Sequence, residues 1–296
     1  MAIGAILISL FAAFQWMEGE PEEVGMSSGR LEEICRAMRE RSKLDALLVI
    51  RHDTIVYEWY AKGYGRHVPH YTASLAKALV GGITLIMALG DGKLKLEDPA
   101  WKFVPQWRDD PLKSKITILH LATHSSGIED STPRKPGTWK AEFWKYPHHY
   151  HIARDVAPIL FEPGTGFHYS NPGMAMLAYC IAAAYRGSDV KELLRDRVMR
   201  PIGVPDDEWH IAGYGGGEPV EMDGLRIYAN WGGAAYSPDA VARVGRLMLR
   251  KGVWEGRRIL DPKWVEAAIR DAGAPVPDRS KEPYPRSGLC LSLIHI

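Results

Sequence analysis

The chain has 296 residues, 46% of them hydrophobic, which is enough for one large domain or two closely joined lobes with a sizeable core. Lysine and arginine number 37 and aspartate and glutamate 36, so the net charge at pH 7 is +1. This balance creates no broad field that would attract nucleic acid or an anionic membrane, and we expect a neutral or small substrate. The cysteines Cys35, Cys180 and Cys290 are far apart without a CxxC, which favours buried thiols over a disulfide framework or a zinc cluster.

The chain begins with an apolar run from Ala2 to Phe14 that is short for a membrane span. The run has the character of a signal-peptide core, but no Lys or Arg precedes it and no small-x-small cleavage site follows it. A periplasmic or secreted location and a cytoplasmic one therefore both stay open. We expect membrane contact only if this segment is an uncleaved anchor. Residues 1–20 are assigned to the apolar segment and an acidic linker, and residues 21–290 to a single domain.

The first half of the domain contains helical and strand patterns in alternation. In chain order, we predict a helix from Ser27 or Ser28, a hairpin of the runs ALLVIR and TIVYEWYAKG around His52 and Asp53, a helical stretch from Ser74 to about Leu89, and a short helix ending at Gly127. The first helix carries Leu31, Ile34 and Met38 at helical spacing, with charges opposite.

The second half is mainly helical. We predict a loop from about 129 to 150 rich in Pro, Trp and His, an apolar helix begun by Pro172, a helix capped by Ser188, a hairpin around Asp223, a turn at NWGGAAYSP, a helix from about Pro238 to Arg250, and a last helix at DPKWVEAAIRDA. This order indicates an α/β (α+β) fold in which a mainly helical lobe, about residues 72–235, is inserted into an α/β lobe.

Ser74 and Lys77 are candidates for a catalytic pair, because residues i and i+3 share one face of a helix. A serine hydroxyl becomes an effective nucleophile when a neighbour accepts its proton, and a lysine can do so when burial lowers its pKa. Apolar residues surround Lys77 in the sequence. The alternative is the start of a buried helix, since an S-x-x-K arises by chance about once in a chain of this length. The second S-x-x-K, Ser188 and Lys191, lies among charges and is interpreted as structural.

Tyr169 and Asn171 lie in a turn directly before an apolar helix, in the motif HYSN. A phenol beside an amine and a hydroxyl can relay the proton of the nucleophile and later protonate a leaving group. Tyr228 and Asn230 repeat the Y-x-N spacing, but the turn and helix context favours Tyr169. The alternative for Tyr169 is a buried tyrosine whose hydroxyl is hydrogen-bonded.

The ordered motifs SLAK, THSSG, PGTGFHYSN and GGAAYSPDAVARVGRLML resemble those of the serine hydrolases related to class C β-lactamases. That family includes penicillin-binding DD-peptidases, lactamase-like esterases and oligomer-cleaving amidases, and the likeness runs from about residue 21 to 270. It implies an antiparallel sheet flanked by helices, with the site between the sheet and a helical lobe. It also implies that Ser74 is acylated, Lys77 is its base, Tyr169 completes the proton relay, and Asn171 contacts Lys77 or a substrate amide. The backbone N–H of Ser74 would form half of an oxyanion hole.

One family motif, a K-T-G or H-x-G triplet on a late strand, has no clear counterpart. The nearest triplet, WGG at Trp231, precedes a helix, so it matches a different part of the family pattern. The last six residues, Leu291 to Ile296, spell LSLIHI, which is the in-frame translation of a sequencing-library adapter. We therefore expect residues 291–296 to be a scar, the natural chain to continue past Cys290, and the last sheet strands to be missing.

The remaining motifs favour no metal or phosphate site. His120 and His124 are i and i+4 without a following Glu, which indicates packing, and a pocket rim is the expected place of His148, His149 and His151. The loop GYGGGEP lacks the following Lys-Ser/Thr of a phosphate loop.

The sequence thus predicts a serine hydrolase without cofactor or metal that cleaves a small ester, amide or lactam through an acyl-enzyme. Aromatic residues of the 129–150 loop favour an apolar acyl or aryl group, and so an esterase or small-amide hydrolase over a β-lactamase; they are Trp139, Phe143, Trp144 and Tyr146. The alternatives are a catalytically silent binding protein of the same fold and a zinc hydrolase built on the histidines.

Overall fold

The computed structural model describes residues 14–41, 44–270, 275 and 288–290. The described residues belong to two compact units, one within Met1–Gly65 and one within Arg66–Ile296. Most of the apolar run and the adapter-like tail, residues 1–13 and 291–296, lie outside the described residues. The assignment of 21–290 to one domain with a helical lobe at about 72–235 stays a prediction.

The first unit contains the predicted hairpin. Strand β2 (Ala46–Arg51) pairs antiparallel with β3 (Thr54–Tyr60), and β1 (Met17–Glu18) adds a parallel edge to β3. The two turn residues, His52 and Asp53, have φ of 53° and 61°. Two consecutive positive φ values are the geometry of a type I′ turn, whose twist matches that of the flanking strands. The hairpin prediction is confirmed, including the residues of its turn.

Helix α1 (Ser28–Arg41) packs on β3. Its N-cap is Ser27, whose Oγ accepts a hydrogen bond from the N–H of Arg30 at 3.4 Å. The buried residues are Leu31 and Cys35, while Ile34 is 53% exposed. The helix is therefore amphipathic as predicted, but its buried face is turned toward Cys35 rather than Ile34.

The second unit is mainly helical. Its core helix runs over Ala73–Gly90, and 72% of this segment is buried. Among the described residues, this one helix has the length and the apolar composition of a membrane span, and the same two properties occur in buried core helices. It begins as a 3₁₀ turn, Ala73–Leu75, continues as a π-helical segment, Lys77–Gly82, and ends as α2, Ile83–Gly90. The later helices are α3 (Ile118–Ala122), α4 (Trp139–Phe143), α5 (His149–His151), α6 (Asn171–Ala184), α7 (Val190–Leu194), α8 (Pro238–Leu249) and α9 (Pro262–Ile269).

The strands of the second unit are short and pair antiparallel. A three-stranded sheet has the order β4-β8-β5, and two hairpins, β6-β7 and β9-β10, accompany it. The predicted hairpin around Asp223 is the β6-β7 pair. The bounds are β4 (His70–Tyr71), β5 (Trp209–Ile211), β6 (Val220–Met222), β7 (Leu225–Ile227), β8 (Ala234–Tyr236), β9 (Val253–Trp254) and β10 (Arg257–Arg258).

Further local predictions in the second unit differ from the structure. The segment NWGGAAYSP is not only a turn, because Ala234–Tyr236 forms the central strand β8. Helix α3 ends at Ala122 rather than Gly127, since His124 has a φ of 58° and cannot continue a right-handed helix. The cap of α7 is Asp189 rather than Ser188: the Asp189 carboxylate accepts from the N–H groups of Lys191 and Glu192 at 2.8 and 3.2 Å.

Candidate active site

Ser74 and Lys77 lie side by side at the beginning of the core helix. The Nζ of Lys77 is 3.2 Å from the Oγ of Ser74. Ser74 sits in the 3₁₀ turn, and Lys77 is the first residue of the π-helical segment, a backbone form that is frequent at functional sites. Ala73, directly before Ser74, has a φ of 47°, which costs a non-glycine residue about 1 kcal/mol. The surrounding fold therefore holds this turn in a strained conformation.

Lys77 is buried, with 4% of its surface exposed. Its Nζ donates to the Oδ1 of Asn171 and to the carbonyl oxygen of Trp231, each at 2.8 Å. Burial lowers the pKa of Lys77 to about 7, against the opposing effects of Asp130 and Cys290. Comparable amounts of the charged and the neutral amine are therefore present near neutral pH.

Tyr169 completes the contacts of the Ser74 hydroxyl. The phenol of Tyr169 donates to the Oγ of Ser74 at 2.8 Å, and the Nζ of Lys77 lies 4.9 Å from the centroid of the tyrosine ring. The structure thus brings together all four residues that the sequence singled out, Ser74, Lys77, Tyr169 and Asn171.

Asp130, which the sequence interpretation did not single out, fixes the orientation of Asn171. One carboxylate oxygen, Oδ1, accepts from the backbone N–H of Asn171 at 2.8 Å and from its Nδ2 at 3.0 Å. Because the amide nitrogen faces a carboxylate, its oxygen must face Lys77. Asp130 lies in an irregular loop, where no periodicity marks it as buried; the only sequence signal is an acid shortly after THSSG.

His124 is the second residue whose importance the sequence interpretation missed. Its Nδ1 accepts from the N–H of Ser170 at 3.2 Å, and its carbonyl accepts from the N–H of His168 at 2.9 Å. Its ring lies 4.6 Å from that of Tyr169, between centroids. His124 therefore holds the backbone on both sides of Tyr169 and supports its ring.

Burial, followed by the charges of Lys77 and His168, lowers the pKa of His124 to about 3. The ring is thus neutral at neutral pH, and an Nδ1 that accepts a hydrogen bond places the proton on Nε2. The sequence pattern assigned His124 to a packing role, and its ring does pack against another ring, but the pattern did not identify Tyr169 as the residue it contacts.

The alternative motifs lie elsewhere. The Nζ of Lys191 is 3.3 Å from the Nδ1 of His210, and the phenol of Tyr228 donates to the Oδ2 of Asp189 at 2.8 Å. Neither contact involves Ser74 or Lys77. His120 forms a capping box with Thr117 in α3. Two exposed histidines face carboxylates: His148 lies 3.5 Å from Glu142 and His151 lies 3.8 Å from Asp155.

Aromatic side chains pack around Trp231, the residue whose carbonyl binds Lys77. Tyr214 stacks on the Trp231 ring at 5.1 Å with an interplanar angle of 9°, and Phe143 and Trp144 contact it at 5.1 and 5.7 Å. These four residues with His149 are called the aromatic cluster. Of the four loop aromatics from which the sequence analysis inferred an apolar acyl or aryl group, Phe143 and Trp144 belong to the cluster. Tyr146 is 56% exposed.

The triplet WGG leads directly into β8 rather than into a helix. The carbonyl of Gly232 accepts from the phenol of Tyr71 at 2.5 Å, which ties the triplet to β4. The sequence interpretation placed WGG directly before a helix, but strand Ala234–Tyr236 separates its glycines from helix α8. At the other end of the described chain, the N–H of Cys290 donates to the carbonyl of Ala122 at 2.8 Å.

The chain also matches a known protein family. Residues 34–282 match the family model described as Beta-lactamase. The chain belongs to the Beta-lactamase family. Its relatives are serine hydrolases of the class C β-lactamase and penicillin-binding type, so the resemblance predicted from the ordered motifs is confirmed.

Curated relatives include enzymes with different named substrates. The chain is 26% identical over 256 residues to a 6-aminohexanoate-dimer hydrolase of Paenarthrobacter ureafaciens, and the aligned region covers 81% of this chain and 58% of that protein. It is 28% identical over 145 residues to a β-lactamase of Pseudomonas fluorescens, covering 46% of this chain and 38% of that protein. The chain therefore spans less than two thirds of the length of these relatives.

Solved structures confirm the mixed α/β fold class. An octameric penicillin-binding protein homologue from Pyrococcus abyssi aligns with a TM-score of 0.65 at 21% identity, covering 90% of this chain and 65% of that one. EstCE1, a hydrolase with promiscuous acyltransferase activity, aligns with a TM-score of 0.63 at 17% identity, covering 89% of this chain and 81% of that one. At these identities the likeness concerns the fold alone.

Proposed function

We propose that the protein is a serine hydrolase that cleaves an ester or small amide through an acyl-enzyme on Ser74. One observation carries the proposal: a buried lysine with a pKa near 7 lies 3.2 Å from a serine hydroxyl that also accepts from Tyr169. A base of this pKa is matched to proton transfer at neutral pH.

The partners of Lys77 suit a neutral amine. A neutral amine has two N–H donors and one lone pair. Two acceptors, the Oδ1 of Asn171 and the carbonyl of Trp231, lie at 2.8 Å from Nζ and would take the two N–H groups. The lone pair is then left for the third neighbour, the hydroxyl of Ser74. In this arrangement Ser74 donates its proton to Lys77, which is the transfer that activates the nucleophile.

The reaction proposed from these contacts has two halves. Ser74 Oγ attacks the substrate carbonyl carbon while its proton passes to Lys77, and the backbone N–H of Ser74 donates to the developing oxyanion. Tyr169 gives its phenolic proton to the leaving alcohol or amine and recovers a proton from Lys77. Water then attacks the acyl-enzyme by the reverse transfers, releasing the acid and restoring Ser74.

The substrate class proposed is an ester or small amide with an apolar part. The aromatic cluster includes Trp231, whose carbonyl binds Lys77, and two of its members, Trp144 and Tyr214, are partly exposed. Partly exposed aromatic side chains near the site favour apolar acyl or aryl groups. A relative named for the hydrolysis of an aminohexanoate dimer supports the small-amide part of this class.

Labelling with a fluorophosphonate probe tests the enzyme proposal. The wild-type chain should label, and Ser74→Ala should abolish the label, while Ser188→Ala, in the other S-x-x-K, should leave it unchanged. A folded chain that never labels would favour the catalytically silent binding protein instead. Loss of activity to a chelator would favour a zinc hydrolase.

A rate comparison tests the substrate class. We expect p-nitrophenyl butyrate to be hydrolysed with a higher kcat/KM than nitrocefin. Faster turnover of nitrocefin would make the protein a β-lactamase and overturn the preference for esters and small amides.

A further inference from the structure

Arg134 is an exposed cation on the rim of the aromatic cluster. Its Cζ lies 3.8 Å from the ring centroid of Trp144, and its Nη2 donates to the phenol of Tyr214 at 2.5 Å. A guanidinium stacked on one ring and hydrogen-bonded to another loses much of its rotational freedom. The remaining N–H groups lie along the edge of the guanidinium plane, where they can donate to a ligand.

Arg134 differs in its partners from two lysines of the same loop, Lys140 and Lys145. Lys140 lies 2.7 Å from a carboxylate oxygen of Glu129, and Lys145 contacts Glu142. Within the described ranges, no carboxylate forms an ion pair with Arg134. The fold thus orients this charge without neutralising it.

A chain of contacts through two stacked aromatic residues connects Arg134 to the candidate site. Tyr214, which accepts from Arg134, stacks on Trp231, and the carbonyl of Trp231 accepts from Lys77. On the other side, burial and the neighbouring Tyr214 phenol raise the pKa of Tyr71 to about 12, and the charge of Arg134 acts in the opposite direction. Tyr71 lies three residues before Ser74, so Arg134 acts electrostatically on a residue of the segment that leads into the nucleophile.

We propose that Arg134, held by Trp144 and Tyr214, is a specificity-determining subsite for a carboxylate that the substrate carries away from its scissile bond. Arginine suits this ligand because the edge of its guanidinium matches the two oxygens of a carboxylate. The carboxylate is assigned to the far end of the substrate, because two residues, Tyr214 and Trp231, separate Arg134 from Lys77 in this chain of contacts. The inference rests on the proposed function, which supplies the scissile bond.

Matched substrate pairs test the proposal in the full chain. The first pair, the p-nitrophenyl monoester of adipic acid and p-nitrophenyl hexanoate, places the charge on the acyl side. The second, N-butyryl-6-aminohexanoate and N-butyrylhexylamine, places it on the amine side. For at least one pair, Arg134→Gln should lower the ratio of kcat/KM for the acid to that for the neutral compound by at least about tenfold, and Arg134→Lys by less.

Two features separate a subsite from a structural role. The preference of the wild type for the acid should weaken as the salt concentration rises, because an exposed charge is screened. Arg108→Gln removes another exposed arginine that lies over a tryptophan, 5.2 Å from the Trp101 ring, and should leave the ratio unchanged. If Arg134→Gln leaves the ratio of both pairs at the wild-type value, the proposal is wrong, whatever its effect on stability.

A binding measurement keeps this inference separate from the proposed function. In the Ser74→Ala background, calorimetry is carried out with N-butyryl-6-aminohexanoate and with the p-nitrophenyl monoester of adipic acid. For at least one of these two acids, the Kd should rise at least about tenfold on adding Arg134→Gln. A wild-type chain that hydrolyses none of the four compounds would contradict the proposed function, yet this shift in Kd would still support the subsite. If the Kd of both acids is the same for Ser74→Ala and for the double variant with Arg134→Gln, the subsite is overturned and the proposed function is not.

Discussion

Lys77 and Asn171 are separated by 94 residues in the chain, and their side chains meet at 2.8 Å between Nζ and Oδ1. The contact joins the beginning of the core helix to the first residue of α6, whose N-cap is Ser170. Asp130 holds the Asn171 amide from the other side. The side chain in direct contact with the Lys77 amine is therefore a neutral amide, and the Asp130 carboxylate, which opposes the lowering of the Lys77 pKa by burial, lies on the far side of that amide.

The first prediction concerns the pH dependence of ester hydrolysis. Because only the neutral form of Lys77 can accept the proton of Ser74, kcat/KM should rise with pH through about 7 and level off above it. The measurement is kcat/KM for p-nitrophenyl butyrate from pH 5.5 to 9, corrected for spontaneous hydrolysis. A rate that is constant across this range would contradict the role of Lys77 as base.

The second prediction changes the neighbour of Lys77. Asn171→Asp would place a carboxylate where Oδ1 now lies, and a negative charge at this distance favours the protonated amine. The pKa of Lys77 should rise, so the ascending limb of the pH profile should move upward by at least about one unit, with activity at pH 7 reduced about tenfold and partly recovered at pH 9. Asn171→Ala is the matched control, because it removes the amide without adding charge. A profile for Asn171→Asp with the wild-type midpoint would show that this contact does not govern the base.

Predictions from the sequence were most accurate where local pattern decides the structure. The turn of the β2-β3 hairpin follows from two β-rich runs two residues apart, and the start of α6 follows from Pro172, which the structure places in the first turn. Asp130 and His124 were missed because their partners, Asn171 and Tyr169, are about 40 residues away, and neither lies in a periodic segment. Strand β8 was missed because Ala-Ala-Tyr is short and its burial comes from pairing on both sides.

The third prediction separates the two contacts of His124. His124→Asn retains a short side-chain acceptor and tolerates the positive φ, but lacks the ring that supports Tyr169. His124→Phe retains a ring but leaves the N–H of Ser170 without its acceptor. Both should lower kcat more than they raise KM, since Tyr169 contacts the Ser74 hydroxyl and acts in the proposed proton transfers. His124→Phe should also lose about 1–3 kcal/mol of stability. Variants with wild-type kcat would show that Tyr169 keeps its position without this support.

The fourth prediction concerns stability in acid. The pKa of His124 is about 3 in the folded protein, below that of an unfolded histidine near 6.5, so the unfolded chain takes up this proton first as the pH falls. The contribution of His124 to stability is therefore complete above about pH 6.5 and is lost progressively toward pH 3. Urea unfolding at pH 7 and pH 4 should show a smaller loss for His124→Asn than for wild type. His148→Asn, which removes a histidine whose side chain is 49% exposed, should follow the wild type, and equal losses for all three would exclude this linkage.

The last prediction concerns the cap of α7, where the sequence suggested Ser188 and the structure has Asp189. The Asp189 carboxylate accepts from the N–H groups of Lys191 and Glu192 and, at 2.8 Å, from the phenol of Tyr228. Asp189→Ala should lower the free energy of unfolding by about 1–2 kcal/mol, because it removes a helix cap and the acceptor of Tyr228. Ser188→Ala should change it by less than about 0.5 kcal/mol, as expected for a site without such a contact. Urea denaturation of both variants decides between them: an equal loss for Ser188→Ala would mean that the serine, as the sequence pattern suggested, is the residue that begins the helix.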